Sequence, residues 1–300
     1  MQNLTTLFAV LLPMFLGFFI RVPKAYSRMI DRLLGVLVYA VLFLIGVSVA
    51  QVEDLGSRLN EIALTVLLLF ACIIGSNIAV LAIFGRYYPL QPKRSDREKA
   101  VGIGSSLRQL VCVGLGFVFG RLMAGIWLPH EHAGMYCLMV LVLLIGIQLG
   151  SSGISLKQIF LNRRGMQLAF WFMVSSLAGG LLFAALMPEV SWSKGLALAS
   201  GFGWYSLSGL VMTEAYGAVW GSIMLLNDLG RELFALVFIP QLMRRYPYAA
   251  VGVGGATSMD FTLPVIRNAG GLEMVPLAVS FSFVANVAAP LLMAAFSSVS

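Results

Sequence analysis

Charge is scarce in this sequence. Only 11% of its 300 residues are Asp, Glu, Lys or Arg, against about 25% in a typical soluble domain. Histidine occurs twice, at His130 and His132, within one short loop. Neither lies in an apolar segment, so no imidazole is placed to act as a buried base, and neither an HExxH motif nor a Cys/His cluster points to a metal. The three cysteines, Cys72, Cys112 and Cys137, all sit in apolar stretches. They read as small packing residues, and a disulfide framework is not expected. There is no GxxxxGK[ST] phosphate loop, which argues against ATP-driven pumping. Ser206-Leu207-Ser208-Gly209 has no partner base and is not a hydrolase motif. The chain is therefore read as a non-enzyme with no cofactor and no metal.

Apolar residues are abundant instead: 59% of the chain is hydrophobic and the mean hydropathy is +0.91. A single soluble core of this size cannot hide so much apolar surface. A soluble enzyme, a disulfide-rich secreted scaffold, a disordered chain and a nucleic-acid-binding domain are excluded. The expected fold is an all-α polytopic membrane protein, with the lipid bilayer as its surroundings. The net charge of +7 is then read as the basic bias of cytoplasmic loops.

A spanning helix needs about 20 mostly apolar residues. Six segments qualify before residue 190: 4–20, 33–50, 62–85, 109–128, 134–149 and 166–187. The first lacks a basic leader and a small-residue cleavage site, so it is read as a retained span. Basic loops at 21–32, 86–108 and 150–165 alternate with acidic or neutral loops around Glu53–Asp54, Glu131 and Glu189. That alternation places the N-terminus outside and the basic loops in the cytoplasm, with Arg244–Arg245 as a further cytoplasmic anchor.

An internal repeat is visible. Leu44-Ile45-Gly46-Val47-Ser48 recurs as Leu144-Ile145-Gly146-Ile147-Gln148, and Leu16-Gly17-Phe18 as Leu115-Gly116-Phe117. Copies at about 4–85 and 109–187, each of three spans, have opposite orientations, a building plan of secondary transporters. Residues 1–190 are thus expected to form a scaffold and 191–300 a substrate- and ion-binding region. In the latter, segments 195–213 and 248–266 are rich in Gly, Ser and Thr and interrupted by helix breakers. Counting orientations gives about eight full spans plus these two broken or re-entrant elements, with the C-terminus outside; ten spans with shifted boundaries is the alternative. Irregular backbone at membrane depth needs protein or water to satisfy its polar groups, so a substrate site is expected between the two segments.

Most acidic residues lie in loops, but Asp228, Glu232 and Asp260 do not. A charge at the bilayer centre costs about 2.5–3.5 kcal/mol on the insertion scale. Asp228 and Glu232 share a helix face, beside Asn227, and Arg231 lies within reach of Asp228. These residues are read either as a neutralised Asp228–Arg231 pair or as carboxylates lining a cation path. Asp260 follows Gly254-Gly255 and precedes Pro264, in a stretch where unwinding is favoured. Freed carbonyls and the hydroxyls of Thr257, Ser258 and Thr262 are expected to form a polar cage around its carboxylate; an N-cap role is the alternative. In the facing segment, Trp204 and Tyr205 either hold an ammonium by cation–π contact or form part of an interfacial aromatic belt. Ser206 and Ser208 add hydroxyls there. Glu214 is a second gate or an interfacial residue, and Arg267 and Asn268 grip a carboxylate or anchor the helix exit. With no nucleotide motif, an ion gradient is the expected energy source.

These segments resemble the bacterial lysine exporter family of the LysO type. The resemblance is carried by SLKQIFLNRRGM (155–166), ASGFGWYSLSGLVMTEAYG (199–217), NDLGREL (227–233), GATSMDFTLPV (255–265) and GGLEMVP (270–276). The first 110 residues match more loosely. The resemblance implies export of L-lysine and its toxic analogues across the bacterial inner membrane. It also implies two acidic residues needed for transport, which fall on Glu232 and Asp260. Protons are the expected counter-ion and a homodimer the expected assembly. A monovalent cation/proton antiporter, or a channel or sensor without coupled transport, is the competing reading.

Overall fold

A computed structural model describes residues 12–13, 16–17, 19–51, 55–90, 104–124, 126, 128–130, 133–151, 162–259, 261–271 and 273–299. Most of the first expected span, the loops carrying Glu53–Asp54 and Glu131, the basic stretch 91–103, residues 152–161 and Asp260 lie outside the described residues.

Among the described residues every regular element is a helix. In chain order they are α1 (Lys24–Ala50), α2 (Leu55–Tyr87), α3 (Gly104–Leu122), α4 (Ala133–Ser151), α5 (Arg163–Leu186), α6 (Trp192–Ala199), α7 (Tyr205–Tyr216), α8 (Ala218–Arg245), α9 (Pro247–Gly254), a 3-10 turn (Gly255–Met259), α10 (Leu263–Gly270) and α11 (Met274–Ser297). Among the described residues, four stretches are long and apolar enough to cross a bilayer: Arg32–Ala50, Asn60–Tyr87, Arg163–Leu186 and Met274–Ser297. Large apolar side chains such as Leu64, Leu67, Phe170 and Leu182 point outward, as lipid-facing positions require. The protein is an all-α membrane protein.

The helix boundaries have local causes. At the start of α5, the Asn162 side chain accepts a hydrogen bond from Gly165 N–H at 3.0 Å. At the start of α6, Ser191 does the same for Lys194 N–H at 3.2 Å. Both are N-caps that satisfy donors a helix start leaves open. Pro247 opens α9, where its missing N–H costs nothing. The same helix stops at Gly255, whose φ of 57° is left-handed and suits glycine.

The chain divides into two compact units, each drawn from three stretches. One comprises Met1–Ala63, Leu107–Ile154 and Ser206–Leu225. Here α1 packs against α4 around Ile30, Leu34 and Ile147, with Val22, Leu143 and Leu144 beside them. Val22 N–H donates to Ser151 Oγ at 3.0 Å. Backbone approaches are very close. A Cβ at Gly17 would overlap the Leu143 carbonyl, and one at Gly116 would overlap the Phe43 carbonyl. Cys112, on α3, donates its thiol to the Tyr39 carbonyl at 3.2 Å, a packing role.

The other unit comprises Leu64–Ser106, Ser155–Tyr205 and Leu226–Ser300. In it α5 packs against both α6 and α11. Gly180 of α5 and Gly195 of α6 lie backbone to backbone, so that a Cβ on either would overlap the other's carbonyl. Phe172 of α5 meets Phe281 of α11 at 4.9 Å between ring centroids. A buried polar link also joins α2 to α5: Asn77 Oδ1 accepts from Ser175 Oγ at 2.6 Å and from Ser176 Oγ at 3.1 Å.

Candidate functional site

The second unit gathers most of the residues singled out by sequence. On α8, Asn227, Asp228, Arg231 and Glu232 are all 2% exposed or less. Their spacing puts Asn227 with Arg231, and Asp228 with Glu232, one turn apart on neighbouring faces of the helix. Asn227 Nδ2 donates to Asp228 Oδ1 at 3.1 Å. Asn227 Oδ1 and Glu232 Oε2 are buried oxygens that accept no hydrogen bond. Such atoms are costly to bury.

Arg231 reaches from α8 to the end of α9. Its Nε donates to the Val253 carbonyl and its Nη2 to the Gly252 carbonyl, each at 3.0 Å. The guanidinium lies over the Phe172 ring, 4.8 Å from its centroid. The cation in this contact is the protein's own, Arg231, and its aromatic is Phe172.

The two Gly/Ser-rich segments meet. Helix α6 ends at Ala199 and α7 begins at Tyr205. Between them Phe202 adopts φ 53° and Gly203 φ 90°. A left-handed Phe is strained by about 1–3 kcal/mol. What the conformation achieves is contact: Ala256 N–H, in the 3-10 turn, donates to the Phe202 carbonyl at 2.8 Å. Phe202 also rests on Phe172, 5.4 Å between centroids. Trp204 is half-buried and Tyr205 buried. Ser206 and Ser208 are buried too and belong to the other unit.

The hydroxyls expected around Asp260, which itself lies outside the described residues, donate to backbone carbonyls. Thr257 Oγ1 donates to the Gly254 carbonyl at 2.8 Å, Ser258 Oγ to the Val251 carbonyl at 2.8 Å, and Thr262 Oγ1 to the Thr257 carbonyl at 3.1 Å. Their protons stabilise the interruption between α9 and α10. Two residues not anticipated from sequence complete this work. From α11, Ser282 Oγ and Asn286 Nδ2 both donate to the Ala256 carbonyl, at 2.6 and 2.8 Å. A lone Asn or Ser inside an apolar span is the signal that points to such residues, because a polar group there must find a partner. Phe172 carried no signal, being one aromatic among many. Arg267 lies in the last turn of α10.

Fold and site together define a class: an all-helical membrane protein with ionisable side chains buried beside the ends of short helices, as in solute transporters. The lysine exporter LysO family matches residues 110–297. The lysine exporter LysO of Escherichia coli is 41% identical over 303 residues, covering 97% of this chain and 98% of that protein. A putative lysine exporter of Haemophilus influenzae is 44% identical over 190 residues, covering 63% of this chain and 96% of that one. The chain belongs to the lysine exporter LysO family. No solved structure matches it.

Proposed function

We propose that this chain exports L-lysine and lysine analogues from the cytoplasm across the bacterial inner membrane, in exchange for protons. The observation that carries the reading is the set Asn227, Asp228, Arg231 and Glu232, buried on α8 where Arg231 touches the end of α9. Lysine presents two ammonium groups and one carboxylate. Glu232, with Asn227 and Asp228 beside it on α8, and Asp260 receive the ammonium groups, and a half-helix N-terminus or Arg231 receives the carboxylate. Protons from outside load the carboxylates, and lysine displaces them from inside. The names of the two relatives favour lysine over a monovalent metal cation as substrate.

The proposed topology has about eight crossings and two broken elements, with both termini outside. Its inverted repeat draws support from a reciprocal packing pattern. Gly17, from the first copy, lies on Leu143 of the second, and Gly116, from the second copy, lies on Phe43 of the first. Leu16-Gly17 matches Leu115-Gly116, and Phe43-Leu44 matches Leu143-Leu144. At these residues the first segment of each copy meets the second segment of the other.

The test is export by cells carrying Glu232→Gln and, separately, Asp260→Asn. Each variant is expected to lose at least about tenfold of lysine efflux, the equivalent of about 1.4 kcal/mol or more. Normal efflux by both, at wild-type protein level, contradicts the proposal.

A further inference from the structure

We infer that Arg231 is a built-in cation for the C-terminal end of α9: it occupies the carbonyls that an interrupted transport helix otherwise offers to a coupling metal ion, so the cycle runs without sodium, and Arg231 positions the interruption rather than binding the substrate carboxylate. The sodium statement rests on the export reading above; the positioning role does not.

A helix that stops inside a membrane leaves carbonyl oxygens without intrahelical partners and carries a partial negative charge at its end. In transporters such ends and unwound carbonyls coordinate sodium ions or protons. Here the carbonyls are engaged by the protein itself. Those of Gly252 and Val253 accept from the guanidinium of Arg231. Val251 and Gly254 accept from Ser258 and Thr257, and Ala256 from Ser282 and Asn286. The cation at the helix end is therefore permanent and tethered.

The surroundings of Arg231 fit that role better than substrate binding. One face of the guanidinium is covered by Phe172. A Cβ at Gly255 would lie 3.2 Å from its Cζ, and one at Gly203 would lie 3.3 Å from its Cδ, so both interrupted segments close on the side chain through glycine. The fork geometry serves adjacent carbonyls from one residue, which the single ammonium of a lysine matches only in charge. Asp228, three residues earlier on α8, supplies nearby negative charge.

The experiment uses the full chain, purified, as wild type, Arg231→Gln and Arg231→Lys. Amide hydrogen exchange is followed over 247–259, in about 100 mM sodium chloride and with N-methylglucamine in place of sodium. The wild type is expected to exchange alike in both, Arg231→Gln about tenfold or more faster across this segment, and Arg231→Lys in between. Wild-type exchange that slows on adding sodium, or Arg231→Gln exchange equal to the wild type, overturns the inference. If Arg231→Gln fails to fold, Arg231→Lys carries the comparison through the same segment. In proteoliposomes, Arg231→Lys is expected to lower the maximal lysine flux while moving the half-saturating concentration less than about twofold. A large rise in that concentration at unchanged maximal flux makes Arg231 a substrate ligand and overturns the assignment. Absence of lysine flux in the wild type counts against the export reading alone, since the exchange measurement needs no substrate.

Discussion

Asn286 lies in an apolar helix, where burying an amide without partners costs about 2–7 kcal/mol. Its Nδ2 settles the Ala256 and Ser282 carbonyls, each at 2.8 Å. Asn286→Leu is expected to destabilise the purified protein by about 1–3 kcal/mol, read as a lowered unfolding temperature and faster proteolysis near residue 256. An unchanged protein would mean that Ser282 alone suffices. Burial was the residue-scale fact most legible in the sequence: Asp228, Arg231 and Glu232 stood out because charge is expensive in an apolar chain, and they are buried. Partners were not legible. The hydroxyls of Thr257, Ser258 and Thr262 are expected around the Asp260 carboxylate, and the carbonyls to which they donate, a few residues away, have no sequence signal. Nothing in composition says which carbonyl a hydroxyl will find. Lys194, on the first turn of α6, offers a pH test. Burial lowers its pKa to about 8 against the raising influence of Glu189. Between about 8 and the ordinary value of 10.5 the unfolded chain holds a proton that the folded chain has released, so stability rises with pH through that window. Lys194→Gln is expected to show a smaller rise in unfolding temperature between neutral and alkaline pH than the wild type does. Equal rises in the two proteins would contradict the shift.

At the scale of elements, the apolar stretches and glycine-rich interruptions were readable because helix length and breaker residues are local properties. Segment 195–213 contains the junction of α6 and α7, and segment 248–266 contains the end of α9, the 3-10 turn and the start of α10. What the sequence did not carry was the contact between them. The hydrogen bond from Ala256 N–H to the Phe202 carbonyl joins residues more than fifty apart, and the left-handed Phe202 has no glycine signature to announce it. Gly255→Ala probes that junction. A Cβ there would overlap the Phe202 carbonyl at a φ of 57°, so the substitution is expected to cost at least about 1–3 kcal/mol and to speed exchange in both segments. Wild-type exchange in both would break the claim that the segments are held together here. Close helix approach makes a second test. Gly116→Leu inserts a side chain where a single Cβ already overlaps the Phe43 carbonyl, and it is expected to lower the yield of folded protein sharply. Gly114→Leu, at a position with open space around it, is the control and is expected to be tolerated.

For the whole molecule, composition alone fixed the class. A chain with 11% charge and 59% apolar residues has no soluble solution, and the described residues are helical with bilayer-length apolar stretches. How the segments interleave into two units, each drawn from three separated stretches, depends on long-range contacts that no local pattern records. Loop charge puts both termini outside. A single cysteine at Ser298, with Cys72, Cys112 and Cys137 replaced by alanine, is expected to react with a membrane-impermeant maleimide in intact cells whose outer membrane has been permeabilised. Reaction only after the inner membrane is opened would reverse the topology. The central claim is exchange of lysine for protons, and lysine flux in proteoliposomes under an imposed pH gradient tests it most directly. The account predicts lysine efflux that follows the gradient, with protons moving in the opposite direction and both fluxes lost in Glu232→Gln. Lysine efflux that ignores the gradient, with no accompanying proton movement, would contradict it.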